Sequence, residues 1–176
     1  MKKMILTLAL IAASVVTAQT NKVTNPYYAS STTSNSYSQA ENEMTALLGF
    51  TNGAANVGVD YARMMDGVGY GGYFLLQTEK KPVIRQVMSF GGLLKFNIAD
   101  KNKFSASMSP GFGIHMFKDI GTSDETALGL VFKIAAQYKI TSEFALGLES
   151  TTITNMFSDK APGLEQVYSI AGSFGF

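Results

Sequence analysis

The chain has 176 residues, with 14 basic and 13 acidic side chains and a formal net charge of +1. That balance excludes a basic nucleic-acid surface, and the absence of cysteine excludes a disulfide scaffold, a thiolate metal site and a lipid-anchored lipoprotein. Only 15% of the residues are charged, below the roughly 25% usual in soluble domains.

The chain opens like an export signal. Lys2 and Lys3 supply the positive end, Met4 to Val16 an apolar core, and Val16-Thr17-Ala18 a small-residue cleavage site before Gln19. The apolar run is too short for a spanning helix, which needs about 20 apolar residues. Residues 1–18 are therefore expected to be a cleaved signal peptide. Loss of Lys2 and Lys3 leaves acids outnumbering bases by one. Residues 19–42 are rich in Ser, Thr, Asn and Tyr and show no period, which predicts a flexible periplasmic segment.

From residue 43 to the end the sequence predicts eight strands, at 43–51, 54–65, 68–78, 84–98, 104–116, 126–140, 144–152 and 166–176. Asn52-Gly53 and Asp66-Gly67 are strong hairpin signals, because a tight turn needs positive φ at both residues. Two-residue turns there pair Met65 with Val68, Val57 with Leu76, Phe50 with Ala55 and Met44 with Tyr61. The remaining turns, taken as odd in length, preserve which face is apolar. Pro110 cannot donate to a ladder and hints at a bulge or break in the fifth strand.

Carried around the sheet, this register separates two materials. One face holds Leu48, Phe50, Val59, Phe74, Phe90, Leu94, Phe112, Leu130, Phe132, Ile134 and Leu148, with Arg63 the only charge on it within the predicted strands. The other holds Ser105, Ser107, Ser109, Gly111, Gly113 and His115 on one strand, and Lys133, Gln137 and Lys139 on the next. An eight-strand barrel has little interior room, so the bulky aromatic face belongs outside, against lipid. A lipocalin would have the opposite sidedness. The expectation is an all-β, eight-stranded antiparallel up-and-down transmembrane barrel over residues 43–176. With no tryptophan, its aromatic girdles must be built from Tyr and Phe.

The last strand carries Tyr168, Ile170, Phe174 and Phe176 at alternate positions, ending on an aromatic residue. This resembles the C-terminal assembly signal of bacterial outer-membrane barrels. Together with the strand pattern, the chain resembles the small eight-stranded outer-membrane β-barrels, the class of the OmpA membrane domain and OmpX. The resemblance implies a cell outer-membrane location in a Gram-negative envelope and contact with outer-membrane lipid and lipopolysaccharide. It also implies a barrel-assembly machinery that reads the terminal signal.

Asp60, Arg85, Lys95, His115, Lys133 and Glu149 all fall on the inward face and define a lumenal polar network. A three-residue turn at 141–143 makes Lys133 and Glu149 diagonal neighbours, within reach of long side chains. Such charges either plug the barrel or line a narrow water or ion path. His115 is the only histidine. A lipid-modifying enzyme resembling the lipid A deacylase would need it beside a serine such as Ser107 or Ser109 and an acid such as Glu149. Against that, the His-x-Ser spacing of the deacylase is missing, because Met116-Phe117 follows His115. The expectation is a non-enzymatic monomer with a structural or surface-interaction role, no cofactor, no metal and no nucleic-acid partner.

Overall fold

The computed structural model of the chain describes residues 41–51, 54–78, 85–101, 103–119, 124–156 and 164–176. The expected signal peptide and nearly all of the 19–42 segment lie outside the described residues. So do Asn52-Gly53 and the connections at 79–84, 120–123 and 157–163.

Eight antiparallel strands form a closed barrel in sequence order: β1 (Asn42–Thr51), β2 (Ala54–Met65), β3 (Val68–Thr78), β4 (Arg85–Lys101), β5 (Phe104–Asp119), β6 (Glu125–Lys139), β7 (Phe144–Asn155) and β8 (Leu164–Gly175). The tight turn between β2 and β3 has Asp66 at φ 50° and Gly67 at φ 85°, the paired positive angles its sequence requires. The register follows. Met65 faces Val68 and Val57 faces Leu76, while Phe50 faces Ala55 and Met44 faces Tyr61.

The barrel closes through β1 and β8. The Asn42 amide donates to the Phe176 carbonyl at 3.0 Å, and the Phe176 amide returns a bond to Asn42 at 2.9 Å. The ladder pairs can be followed once around the wall: Leu164 to Thr154, Leu130, Phe112, Gly92, Gly72, Tyr61 and Met44, and back onto β8 at Phe174. The circuit returns ten residues further along β8, since 174 less 164 is ten. With eight strands, that offset gives a strand tilt of about 41° and a backbone radius of about 8 Å. Each step along the ladder from β8 toward β1 moves about 3 Å toward the end that carries the chain termini.

Sidedness is as the alternation predicts. Phe50 is 75% exposed and Leu148 68%, and Tyr168, Ile170, Phe174 and Phe176 of the terminal strand all face outward. Arg63 lies on the same face close to the terminal end. Exposed Tyr61, Tyr70, Phe104, Tyr138, Phe174 and Phe176 ring that end, forming a girdle of Tyr and Phe. β4, β5 and β7 run past their expected ends, and Lys101 and Lys118 face outward where β4 and β5 project past the apolar band.

Two expectations need correcting. Pro110 does not break β5, which is continuous and sets Pro110 against Phe132. The irregularity lies across the hairpin, between Asn97 and Ala99 of β4. The predicted five-residue turn at 99–103 is also shorter, because Lys101 pairs directly with Phe104. The two departures compensate. A two-residue turn would invert the faces of the hairpin, and the extra residue at the bulge inverts them back, so Phe96 still faces Met108 on the outside.

The small radius makes glycine necessary at points of close approach. A Cβ on inward-facing Gly71 would lie 1.8 Å from the Tyr61 carbonyl oxygen, whereas one on outward-facing Gly92 meets nothing nearer than 3.8 Å. Gly71→Ala is expected to destabilise the barrel by about 1–3 kcal/mol, as overpacking does. Gly92→Ala should be neutral or stabilising by up to about 1 kcal/mol. Urea unfolding of both variants in phospholipid vesicles checks the contrast.

Candidate functional site in the barrel lumen

The inward face is filled in layers. Nearest the terminal mouth, Lys95 pairs with Glu43, and Lys139 with Asp100. Beneath them Gln137 Nε2 donates to Ser173 Oγ at 2.6 Å, and Ser173 shares a hydrogen bond with Thr45 at 2.7 Å. Glu43, Lys95, Asp100, Gln137, Lys139 and Ser173 line a polar vestibule of about 100 Å³.

The next layer is built on Lys133, which is 2% exposed. Its Nζ donates to both carboxylate oxygens of Asp60, at 2.7 and 2.6 Å, and to Glu149 Oε1 at 3.0 Å. Thr151 Oγ1 donates to the same Glu149 oxygen at 3.1 Å. The ammonium also lies 5.4 Å from the centre of the Tyr73 ring, within cation–π range. β6 and β2 stand on opposite walls, and a radius of about 8 Å is what lets a lysine on one reach an aspartate on the other. The gap beside this cluster is only about 10 Å³, the room of a single water.

Tyr73 explains the glycine at position 113. It faces Gly91 on β4, which in turn faces Gly113 on β5. A Cβ on Gly113 would lie 2.1 Å from the Tyr73 hydroxyl. The ring therefore reaches across a neighbouring strand into space that only glycine leaves open.

Past Lys133 the lumen turns largely apolar. Leu75, Val131, Ile153 and Val167 are almost wholly buried and form one cluster with Tyr73. Beside this cluster and level with it, Ser169 Oγ, next to Glu149 in the ladder, donates to Asn56 at 2.8 Å; toward the far mouth, His115 Nδ1 and Ser89 Oγ share a hydrogen bond of 2.6 Å. Val87, Phe117 and Ala127 form a second apolar cluster there.

Of the six expected network residues, the structure brings three together: Asp60, Lys133 and Glu149. The register placed Lys133 opposite Thr151 and Glu149 opposite Ala135, and so it is. Lys95 belongs to a separate layer with Glu43, and His115 stands apart with Ser89. Arg85 pairs through its backbone with Asp119, and its side chain lies outside the described residues. The enzyme arrangement considered from the sequence does not form. The histidine's serine is Ser89 across the ladder, rather than Ser107 or Ser109, and Glu149 is engaged by Lys133 and Thr151. Sequence reasoning missed Glu43, Tyr73 and Asp100, and it placed Ser89 on the inward face without pairing it with His115. An aromatic residue at an inward position among glycines was the available signal for Tyr73.

An apolar band outside, a filled polar and apolar interior and eight strands closed without an edge define a membrane-spanning barrel of small size. No family model matches the chain, and no curated protein matches it by sequence. Solved structures show the same fold. Neisserial surface protein A superposes with a TM-score of 0.60 at 10% identity, covering 77% of this chain and 94% of that one. The N-terminal β-barrel domain of Pseudomonas aeruginosa OprF gives 0.60 at 12%, covering 78% and 98%. Ail of Yersinia pestis gives 0.54 at 11%, covering 78% and 100%. The outer-membrane enzyme PagL gives 0.50 at 13%, covering 76% and 99%. The fold is that of the small eight-stranded outer-membrane barrels.

Removing one partner from a buried ion cluster leaves uncompensated charge. Lys133→Met is expected to destabilise the barrel by about 3–5 kcal/mol. The triple replacement Lys133→Met, Asp60→Leu, Glu149→Met should recover most of that loss, because no charge is then stranded. Urea titrations of the two variants in vesicles measure the difference.

Proposed function

We propose that the protein is an integral outer-membrane barrel with a closed lumen, exported through a cleaved signal, and that its role is structural or interactive rather than transport or catalysis. The observation that carries this is the filled interior. The Lys133 cluster spans the lumen from wall to wall, and Leu75, Val131, Ile153 and Val167 follow it directly. An ion would have to displace a lysine held by two carboxylates and then pass a filled, largely apolar layer. A narrow channel is therefore the weaker reading.

The enzyme reading meets a similar obstacle. Ser89 and His115 are both fully buried in the lumen, while a lipid substrate lies outside the wall. Interaction is left to the connections at the far end and to the outer wall. Outer-membrane lipid and lipopolysaccharide would contact the apolar band, and the barrel-assembly machinery would engage the terminal strand with Tyr168, Ile170, Phe174 and Phe176.

Expressed in a Gram-negative host, the protein should fractionate with the outer membrane and migrate on gels in a heat-modifiable way. In planar bilayers it should produce no unitary conductance. Reproducible single-channel steps from the wild-type barrel would overturn the closed-lumen reading in favour of a channel.

A further inference from the structure

Among the described residues, Arg63 is the one charged side chain that faces outward inside the apolar band. Lys95, Lys133 and Lys139 are ion-paired in the lumen, and Lys101, Lys103 and Lys118 stand past the ends of the band. Met65, two residues further along β2 and about 5 Å nearer the terminal rim, is apolar and 58% exposed. The cation is therefore set back from the edge of the band. Tyr70 faces Arg63 across the ladder, and neither the guanidinium nor that hydroxyl has a partner among the described residues. On the other side Asn42 faces Arg63, and the Tyr61 hydroxyl donates to Asn42 Oδ1 at 2.8 Å. Cation and phenol thus stand side by side at the girdle, both able to donate and neither engaged.

The tilt of the strands fixes what lies deeper in the band below them. Two residues back along β2, from Arg63 to Tyr61, moves about 4 Å around the wall, and the ladder step from Tyr61 to Gly72 moves about as far back. Gly72 is therefore directly below Arg63 along the barrel axis, about 8 Å further in, and its ladder partner Gly92 follows about 3 Å deeper. Both glycines face outward, and a Cβ on Gly92 would meet nothing nearer than 3.8 Å. Tyr61 and Phe74 stand exposed on one side of this floor, and Leu94 and Phe112 on the other. The result is a shallow trough that runs along the axis from Arg63 toward the middle of the band.

We propose that Arg63 and Tyr70 hold the phosphate of one phospholipid in the leaflet at the terminal end, with an acyl chain lying on the Gly72–Gly92 floor. The inference rests on the membrane-spanning reading. Charge and level together select the occupant. An arginine facing lipid must reach water or an anion, and its side chain is long enough to bring the guanidinium from this level to the plane where acyl chains give way to headgroups. The anions fixed in that plane are lipid phosphates, whose oxygens suit the planar fork of a guanidinium and leave an acceptor for the neighbouring phenol. A soluble anion would satisfy the charge but would leave the trough empty.

The test uses the folded barrel in detergent, incubated with phosphatidylglycerol, with diacylglycerol or with inorganic phosphate, and counts retained molecules by native mass spectrometry. Wild type is expected to keep one phosphatidylglycerol and no diacylglycerol, and inorganic phosphate should not displace the lipid. Arg63→Gln should weaken retention about tenfold, as the loss of one charge-assisted contact does. Gly92→Leu, which fills the floor without touching the charge, should weaken it too, and Lys101→Gln, a charge removed past the band, should not. Heat-modifiable migration shows that each variant is folded. Unchanged retention in Arg63→Gln or Gly92→Leu, equal retention of diacylglycerol, or displacement by inorganic phosphate overturns the proposal. A wild-type protein that stays folded and dispersed without detergent would instead end the membrane reading itself, a distinct failure.

Discussion

A sheet can exist in hydrocarbon only if it has no edge, and this requirement governs the rest of the molecule. Each unpaired backbone amide or carbonyl would cost several kcal/mol in lipid, so β8 must return to β1 and satisfy every group in the ladder. Eight strands meeting with an offset of ten residues leave a backbone cylinder about 8 Å in radius. Into that space the inward face must fit without voids or clashes. Hence Gly71 presses against the Tyr61 carbonyl, Gly91 against the Phe112 carbonyl, and Gly113 makes way for Tyr73. The composition of the interior follows from the radius.

The narrow bore also changes what a charge can do. On a broad surface Lys133 would point into water. Here it is forced within reach of the far wall, and its ammonium is held by carboxylates from β2 and β7. Desolvating these ions is expensive, and only the close geometry and the added hydrogen bond from Thr151 offset it. The cluster ties β2 to the β6–β7 pair through the axis, a connection that the ladder alone cannot make.

Much of this was readable from residues in order. β2 and β3 fall at the predicted bounds, because their turns carry sequence signals that fix length and register together. The Lys133–Glu149 contact followed from the register across residues 141–143. Contacts through the lumen did not follow, because alternation gives the face of a residue and says nothing of how wide the barrel is. So Asp60 was placed inside without its partner's distance, and Glu43 was not paired with Lys95. The Ser89–His115 pair failed for another reason. A five-residue turn at 99–103 sets Ser89 opposite Gly113, whereas the observed ladder sets it opposite His115.

The coupled irregularity of the β4–β5 hairpin bears on how this protein can vary. Its short turn and its bulge between Asn97 and Ala99 are each tolerable only because the other is present. Losing or gaining one residue in either would carry Leu94 and Phe96 to the axis and Lys95 into acyl chains. Natural length changes in this segment should therefore arrive in even numbers, and laboratory insertions of a single residue there should be selected against far more harshly than insertions of two.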